Sequence, residues 1–149
     1  MLRSQEIRNK APEMDSLRLG SGWKVEELSK PQIIVESSYG HSHPGSAHLD
    51  ILVEEACKGV NAKGGRPAKF FVTDICDGQA QGHDGMNYSL ASREFMASMI
   101  ETHVEATPYD AGVFIASCDK SMPAHLMAVA RLDMPAVVVP GGIMDAGPN

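Results

Sequence analysis

At 149 residues the chain has the length of one domain, enough to bury about 70% of its unfolded surface. Its 43% hydrophobic and 21% charged content is that of an ordinary globular protein, and no apolar run approaches the ~20 residues of a membrane span. The net charge of −6 is uneven: residues 1–30 carry six Lys/Arg against five Asp/Glu, residues 31–149 seven against fourteen, and with no Lys/Arg cluster this acidic body argues against nucleic acid and suits divalent cations.

The N-terminus is charged rather than signal-like, and three cysteines without paired spacing favour reduced thiols, so a cytoplasmic chain is expected. Residues 1–30 read as a mobile arm, with short helices at Ser4–Lys10 and Val25–Leu28. Trp23 lies in the Leu17–Trp23 stretch between them and suggests that the arm docks on something. Pro31 ends it. Residues 31–149 read as the α/β domain.

Gln32–Glu36 reads as a buried strand, followed by a Gly-, Ser- and His-rich loop, Ser37–Ser46. His48–Val60 is the clearest helix: Leu49, Leu52, Val53, Ala56, Cys57 and Val60 form one apolar stripe, which makes Cys57 a packing residue. After Gly64-Gly65, a second strand is expected at Lys69–Thr73. A helix capped by Ser89 should run to about Ala106, burying Met96, Met99, Ile100, His103 and Val104. His103 reads as a core or boundary histidine.

Val113–Ala116 reads as the third strand, with Pro123 in the first turn of the helix that follows and Leu126, Met127 and Ala130 as that helix's apolar side. That helix should end near Asp133, and Pro135–Val139 forms a fourth strand. Strand–helix alternation at this spacing predicts an α/β fold: a mostly parallel sheet with helices on both faces.

The chemistry collects at two strand ends, Cys76-Asp77-Gly78 and Cys118-Asp119-Lys120. Neighbouring parallel strands would bring both to one edge, where open α/β sheets bind ligands. Thiolates select soft metals and iron–sulfur clusters, carboxylates Mg²⁺ or Mn²⁺, so two metal centres side by side are suggested. The helix N-terminus after Lys120 should favour a thiolate at Cys118. His41, His43 and His48 lack zinc-like spacing to a Cys or carboxylate and read as a substrate-side loop or plain surface.

The ordered set Cys76-Asp77-Gly78, Gly82-His83-Asp84-Gly85-Met86, Tyr88-Ser89-Leu90, Ser92-Arg93-Glu94, Ser117-Cys118-Asp119-Lys120 with Pro123, and Met134-Pro135 with Gly141-Gly142 resembles the dihydroxy-acid dehydratase and phosphogluconate dehydratase family, which includes aldonic acid dehydratases. The resemblance runs from about Ile33 to Gly142. It implies a hydro-lyase that converts a 2,3-dihydroxy carboxylate to a 2-oxo acid, using an iron–sulfur cluster (2Fe–2S or 4Fe–4S) and Mg²⁺. By the same resemblance Cys118 is a cluster ligand, Asp77 and Asp119 are Mg²⁺ ligands, and Lys120 is a catalytic lysine that some members carry as a carbamate.

Three departures qualify it. Pro44-Gly45-Ser46 stands where branched-chain members carry a cluster cysteine, which makes Cys76 the candidate replacement. Ala124 stands where glycine is common. The chain stops at Asn149, in what reads as a mid-protein loop at 145–149, while family enzymes are several times longer. Their remaining cysteine, Mg²⁺-binding Glu and serine base lie beyond that point.

The expectation is therefore the N-terminal part of a dehydratase, inactive alone and working as a homo-oligomer or with a partner chain that supplies the rest. Its substrate would be a small dihydroxy acid, leaning toward sugar acids because the absent loop cysteine, Gln79-Ala80-Gln81-Gly82 and the polar loop Ser37–His43 resemble those members more than branched-chain ones. The rivals are a non-catalytic, partner-binding remnant and a cysteine redox or nucleotide-binding α/β domain.

Overall fold

The computed structural model describes residues 1–142. Four strands, β1 (Gln32–Ser37), β2 (Arg66–Phe71), β3 (Ala111–Ala116) and β4 (Ala136–Pro140), form one all-parallel sheet in the order β2-β1-β3-β4. The connections are helical: α3 (Leu49–Ala62) after β1, α4 (Asp77–Ala80) and α5 (Ser89–Ala106) after β2, and α6 (Ser121–Leu132) after β3. The N-terminal segment supplies α1 (Arg3–Lys10) and α2 (Met14–Gly20). The expected α/β architecture is the one found.

The two central strands carry apolar runs without alternation, Ile33–Val35 and Val113–Ala116, because both their faces are covered. Side chains alternate across the pleat, so Ile34 and Phe114 point into one core with Met96, Ile100 and Val104 of α5 and Ala124, Ala128 and Leu132 of α6. Val35 and Ile115 point the other way, against Leu49, Val53 and Cys57 of α3. The stripe read for α3, with Cys57 as a packing residue, holds.

Several boundaries and faces differ from expectation. The second strand starts at Arg66, three residues early, and includes Pro67; β2 is an edge strand, where a missing N–H is tolerated. Ser89 is the first residue of α5 and makes no side-chain cap, because a 3₁₀ turn at Asp84–Tyr88 runs straight into the helix. Met99 is 55% and Leu126 53% exposed. In α6 the buried face is instead Ala124, His125, Ala128 and Leu132. A histidine, not the leucine, faces the sheet.

The N-terminal segment lies against the sheet through specific bonds. The Asp110 carboxylate accepts from the Ser4 amide at 2.8 Å, the Ser4 hydroxyl at 2.6 Å and the Gln32 amide at 2.7 Å. Trp23 is buried, with the Arg18 and Arg66 guanidinium groups over its ring. The stretch Leu17–Trp23 is partly helical, because α2 extends to Gly20. Among the described residues, no helix is long and apolar enough to cross a membrane.

Candidate active site at the carboxyl edge of the sheet

The chain leaves β3 through Ser117 and reverses into α6 within four residues. Cys118 takes φ +74° to make that turn, the left-handed region that a Cβ disfavours. Strain of about 1–2 kcal/mol is typical for such a residue, and it collects where a side chain must be presented at a strand end. Cys118→Gly is expected to stabilise the chain by about 0.5–1 kcal/mol after glycine's own entropic cost, and Cys118→Ala not at all. Thermal denaturation of the two variants checks this: were the turn unstrained, Cys118→Gly would melt below Cys118→Ala by glycine's entropic cost.

Lys120 lies at the base of the turn. Its ammonium donates to Asp119 Oδ2 at 2.5 Å and to Asp77 Oδ2 at 2.8 Å. Asp77 is the first residue of α4, just beyond β2, so carboxylates from two different strand ends meet on one cation. β1 separates β2 from β3, so the strands are not neighbours as expected; the loops reach across β1 instead. The contact with Asp119, and then with Asp77, raises the pKa of Lys120, and the same contact lowers that of Asp119. Asp77 Oδ1 is buried and has no hydrogen-bond partner among the described residues.

The Cys118 thiol does not behave as the helix N-terminus suggested. Burial pushes its pKa up; the backbone amide of Asp119 pulls it down, but the Asp119 carboxylate, which accepts from Sγ at 3.5 Å, and that of Asp74 leave it raised. Without a metal the thiol form is favoured. Cys76 is half-buried, with its Sγ beside Gly78 on an open cleft of about 510 Å³ that Asp74, Gln79 and His83 also line.

The histidine loop resolves into separate roles. His43 is buried and its Nε2 meets Asp74 Oδ2 at 3.0 Å, tying the loop after β1 to the end of β2. His41 contacts the Tyr39 hydroxyl at 3.3 Å, and His48 the Gly141 carbonyl at 2.7 Å. They share no common centre. A Cβ at Gly45 would lie 3.0 Å from His43 Nδ1 and 3.3 Å from Ser117 Oγ, so a cysteine there would make both side chains shift by a few tenths of an ångström. His103 is half-buried and stacks on Phe70 with centroids 3.8 Å apart.

Beneath the turn lies a pair that the sequence reading missed. Glu36, in β1, and His125, in α6, are both fully buried, with His125 Nε2 at 2.5 Å from Glu36 Oε2. His125 Nδ1 lies 2.6 Å from the Ser121 carbonyl, one residue beyond Lys120. The signal was available: an acid straight after the apolar run Ile33–Val35 of a buried strand needs a buried partner.

As a metal cradle the edge offers two carboxylates already converged on a cation, one with an unused buried oxygen, and two thiols on separate turns. That donor set fits a divalent cation beside an iron–sulfur group. Among the described residues, no three His, Cys, Asp or Glu side chains already form a metal-holding group. The 145–149 ending lies outside the described residues.

The family model described as dihydroxy-acid/6-phosphogluconate dehydratase N-terminal matches residues 30–149. A dihydroxy-acid dehydratase of Halothermothrix orenii is 49% identical over 132 residues, covering 89% of this chain and 24% of that protein. One of Nitratidesulfovibrio vulgaris is 47% identical over 149 residues, covering 98% and 27%. One of Pyrococcus abyssi is 49% identical over 126 residues, covering 85% and 23%. The chain thus spans about a quarter of the length of these relatives.

Proposed function

This chain belongs to the dihydroxy-acid/6-phosphogluconate dehydratase family, and from that premise we propose that it is the cofactor-binding N-terminal part of a hydro-lyase that converts a 2,3-dihydroxy carboxylate to a 2-oxo acid. The observation that carries the reading is the convergence of Asp77 and Asp119 on one cation position next to Cys118.

In this reading Cys76 and Cys118 hold iron of an iron–sulfur cluster, and Asp77 and Asp119, with Lys120 as a carbamate, hold Mg²⁺. Bound there, the two centres would supply Lewis acidity, the iron toward the leaving hydroxyl and Mg²⁺ toward the substrate carboxylate. Lys120 has a second duty as an ammonium: it keeps the two carboxylates from repelling each other until a metal takes its place. His43 and Asp74 anchor the loop after β1 against the end of β2, which fixes the wall of the cleft beside Cys76. Free thiols at Cys57, Cys76 and Cys118 suit a reducing compartment, the cytoplasm.

The substrate class is the dihydroxy acid that the relatives' names carry. Of the three grounds for the lean toward sugar acids, the polar loop Ser37–His43 loses weight, because Ser37, Ser38 and His43 are buried; the absent loop cysteine and Gln79-Ala80-Gln81-Gly82 stand. Comparing an aldonate with dihydroxyisovalerate in a complete homologous enzyme separates the two. An apolar groove of about 340 Å³ between the end of β2 and α5, with Phe95 70% exposed, suits coverage by the remainder of such an enzyme, by a second copy or by a partner chain.

Anaerobic reconstitution with iron and sulfide is the test. Visible iron–sulfur absorption is expected in the native chain and is expected to fall to background in Cys76→Ser and Cys118→Ser, while 2-oxo acid formation by the chain alone stays at background. Absorption that persists in the double variant would remove the thiols from the site. A chain that binds no iron would favour the non-catalytic, partner-binding reading instead.

A further inference from the structure

We propose that the cavity between the N-terminal segment and the β2 edge binds a small oxyanion, a carboxylate or phosphate group, through Arg18. The cavity measures about 520 Å³, and its walls include Arg18, Trp23, Asn61, Arg66 and Lys69 together with one carboxylate, Glu54. It lies along β2 from its first residues, whereas Cys118 and Asp77 follow the carboxyl ends of their strands.

Arg18 is held in place but not neutralised. Its Cζ lies 4.5 Å from the Trp23 ring centroid and 5.4 Å from that of Tyr109. Its Nη2 is fully buried and meets no hydrogen-bond acceptor among the described residues. The neighbouring cations face acids: Arg66 Nε lies 3.1 Å from a Glu27 carboxylate oxygen, though without a hydrogen bond to it, and Lys69 donates to Glu54 at 2.6 Å. One positive charge is therefore left over in a half-enclosed space rich in donors.

A guanidinium that meets no carboxylate is a ready donor to an oxyanion, which would approach Arg18 from the side that faces the cavity, away from the buried Nη2. The unmatched charge is felt on the cavity wall. Burial first, and the Arg18 charge second, push the pKa of His103 down and keep that ring neutral. The cavity's size limits the ligand to a small molecule. This inference does not rest on the dehydratase reading, and either can fail without the other.

Trp23 is the chain's single tryptophan, so its fluorescence reports on this cavity alone. Sodium phosphate and sodium acetate, each titrated against sodium chloride at matched ionic strength, are expected to give a saturable change with one of the two oxyanions. Tighter phosphate binding points to a phosphate-bearing ligand, tighter acetate binding to a carboxylate. Arg18→Gln should weaken the response at least 10-fold. Asn61→Asp, at an exposed position on the cavity rim, should do the same by offering Arg18 an internal carboxylate, and it keeps the test valid should Arg18→Gln fail to fold. A response no different from chloride, or one unchanged in Asn61→Asp, overturns the proposal.

Discussion

His125→Leu is expected to destabilise the chain by about 3–5 kcal/mol, the usual cost of stranding one member of a buried ion pair. Glu36 would keep its carboxyl at 0% exposure with no base to meet it. Replacing both residues with apolar side chains, Glu36→Met with His125→Leu, should recover most of that loss, because the desolvation of both charges disappears with them. Urea denaturation at pH 7 measures all three proteins. A single variant within 1 kcal/mol of the native chain would mean that the pair contributes nothing.

The same pair sets a pH dependence whose sign can be worked out. Burial is the largest influence on both groups. It raises Glu36 above its ordinary 4.5 and pulls His125 down, but the contact with Glu36, helped by the Ser121 carbonyl and the Asp74 charge, leaves His125 raised above its ordinary 6.5. Both groups therefore hold protons more tightly in the folded chain than in the unfolded one. The His125 contribution is complete below pH 6.5 and is lost as pH climbs through its raised folded value. That of Glu36 is complete below 4.5 and fades over its own window. The urea midpoint should fall between pH 6 and pH 9 in the native chain, and more steeply than in the double apolar variant.

The second large effect concerns the paired carboxylates. Asp77→Asn together with Asp119→Asn is expected to weaken Mn²⁺ binding by about 100-fold or more, since even the outer-shell partners of a metal site are typically worth 10–100-fold. Mn²⁺ stands in for Mg²⁺, accepts the same oxygen donors and is read directly by paramagnetic resonance. Asp119 is well exposed and Asp77 is not, so Asp77→Asn should be the more damaging single change. Binding unaffected by the double change would move the cation site elsewhere.

The sheet, its helices and the edge that carries Cys76, Asp77, Cys118, Asp119 and Lys120 were legible because period and position along the chain encode them directly. Alternation at β1 and β3 is absent where both faces are covered, and the stripe on α3 names its buried side. Which strands adjoin was not legible: β1 lies between β2 and β3, and no local pattern states that order. The buried face of α6 was misread at Leu126 and Ala130, which are exposed, while Met127 does pack against the core: Leu126 looks more apolar than His125. Hydrophobicity ranks side chains one at a time, whereas His125 is buried through a partner 89 positions away, Glu36. The strain at Cys118 was equally hidden, since nothing in a cysteine announces a left-handed backbone.

The strand order also has a consequence in time. β1 is made early, but its partner on the β3 side arrives much later: the Gln32 amide and the Asp110 carboxylate that receives it are 78 residues apart. All three strand pairings are parallel, so no hairpin offers a cheap first step, and each pairing waits for a crossover to close. A ribosome adding about 5–20 residues per second holds β1 open on that side for several seconds. Through that interval only β2 and α3 can cover it, and Glu36 has not yet met its histidine. The newborn chain thus carries an acid beside the apolar run Ile33–Val35, which discourages that strand from pairing with another copy of itself while it waits.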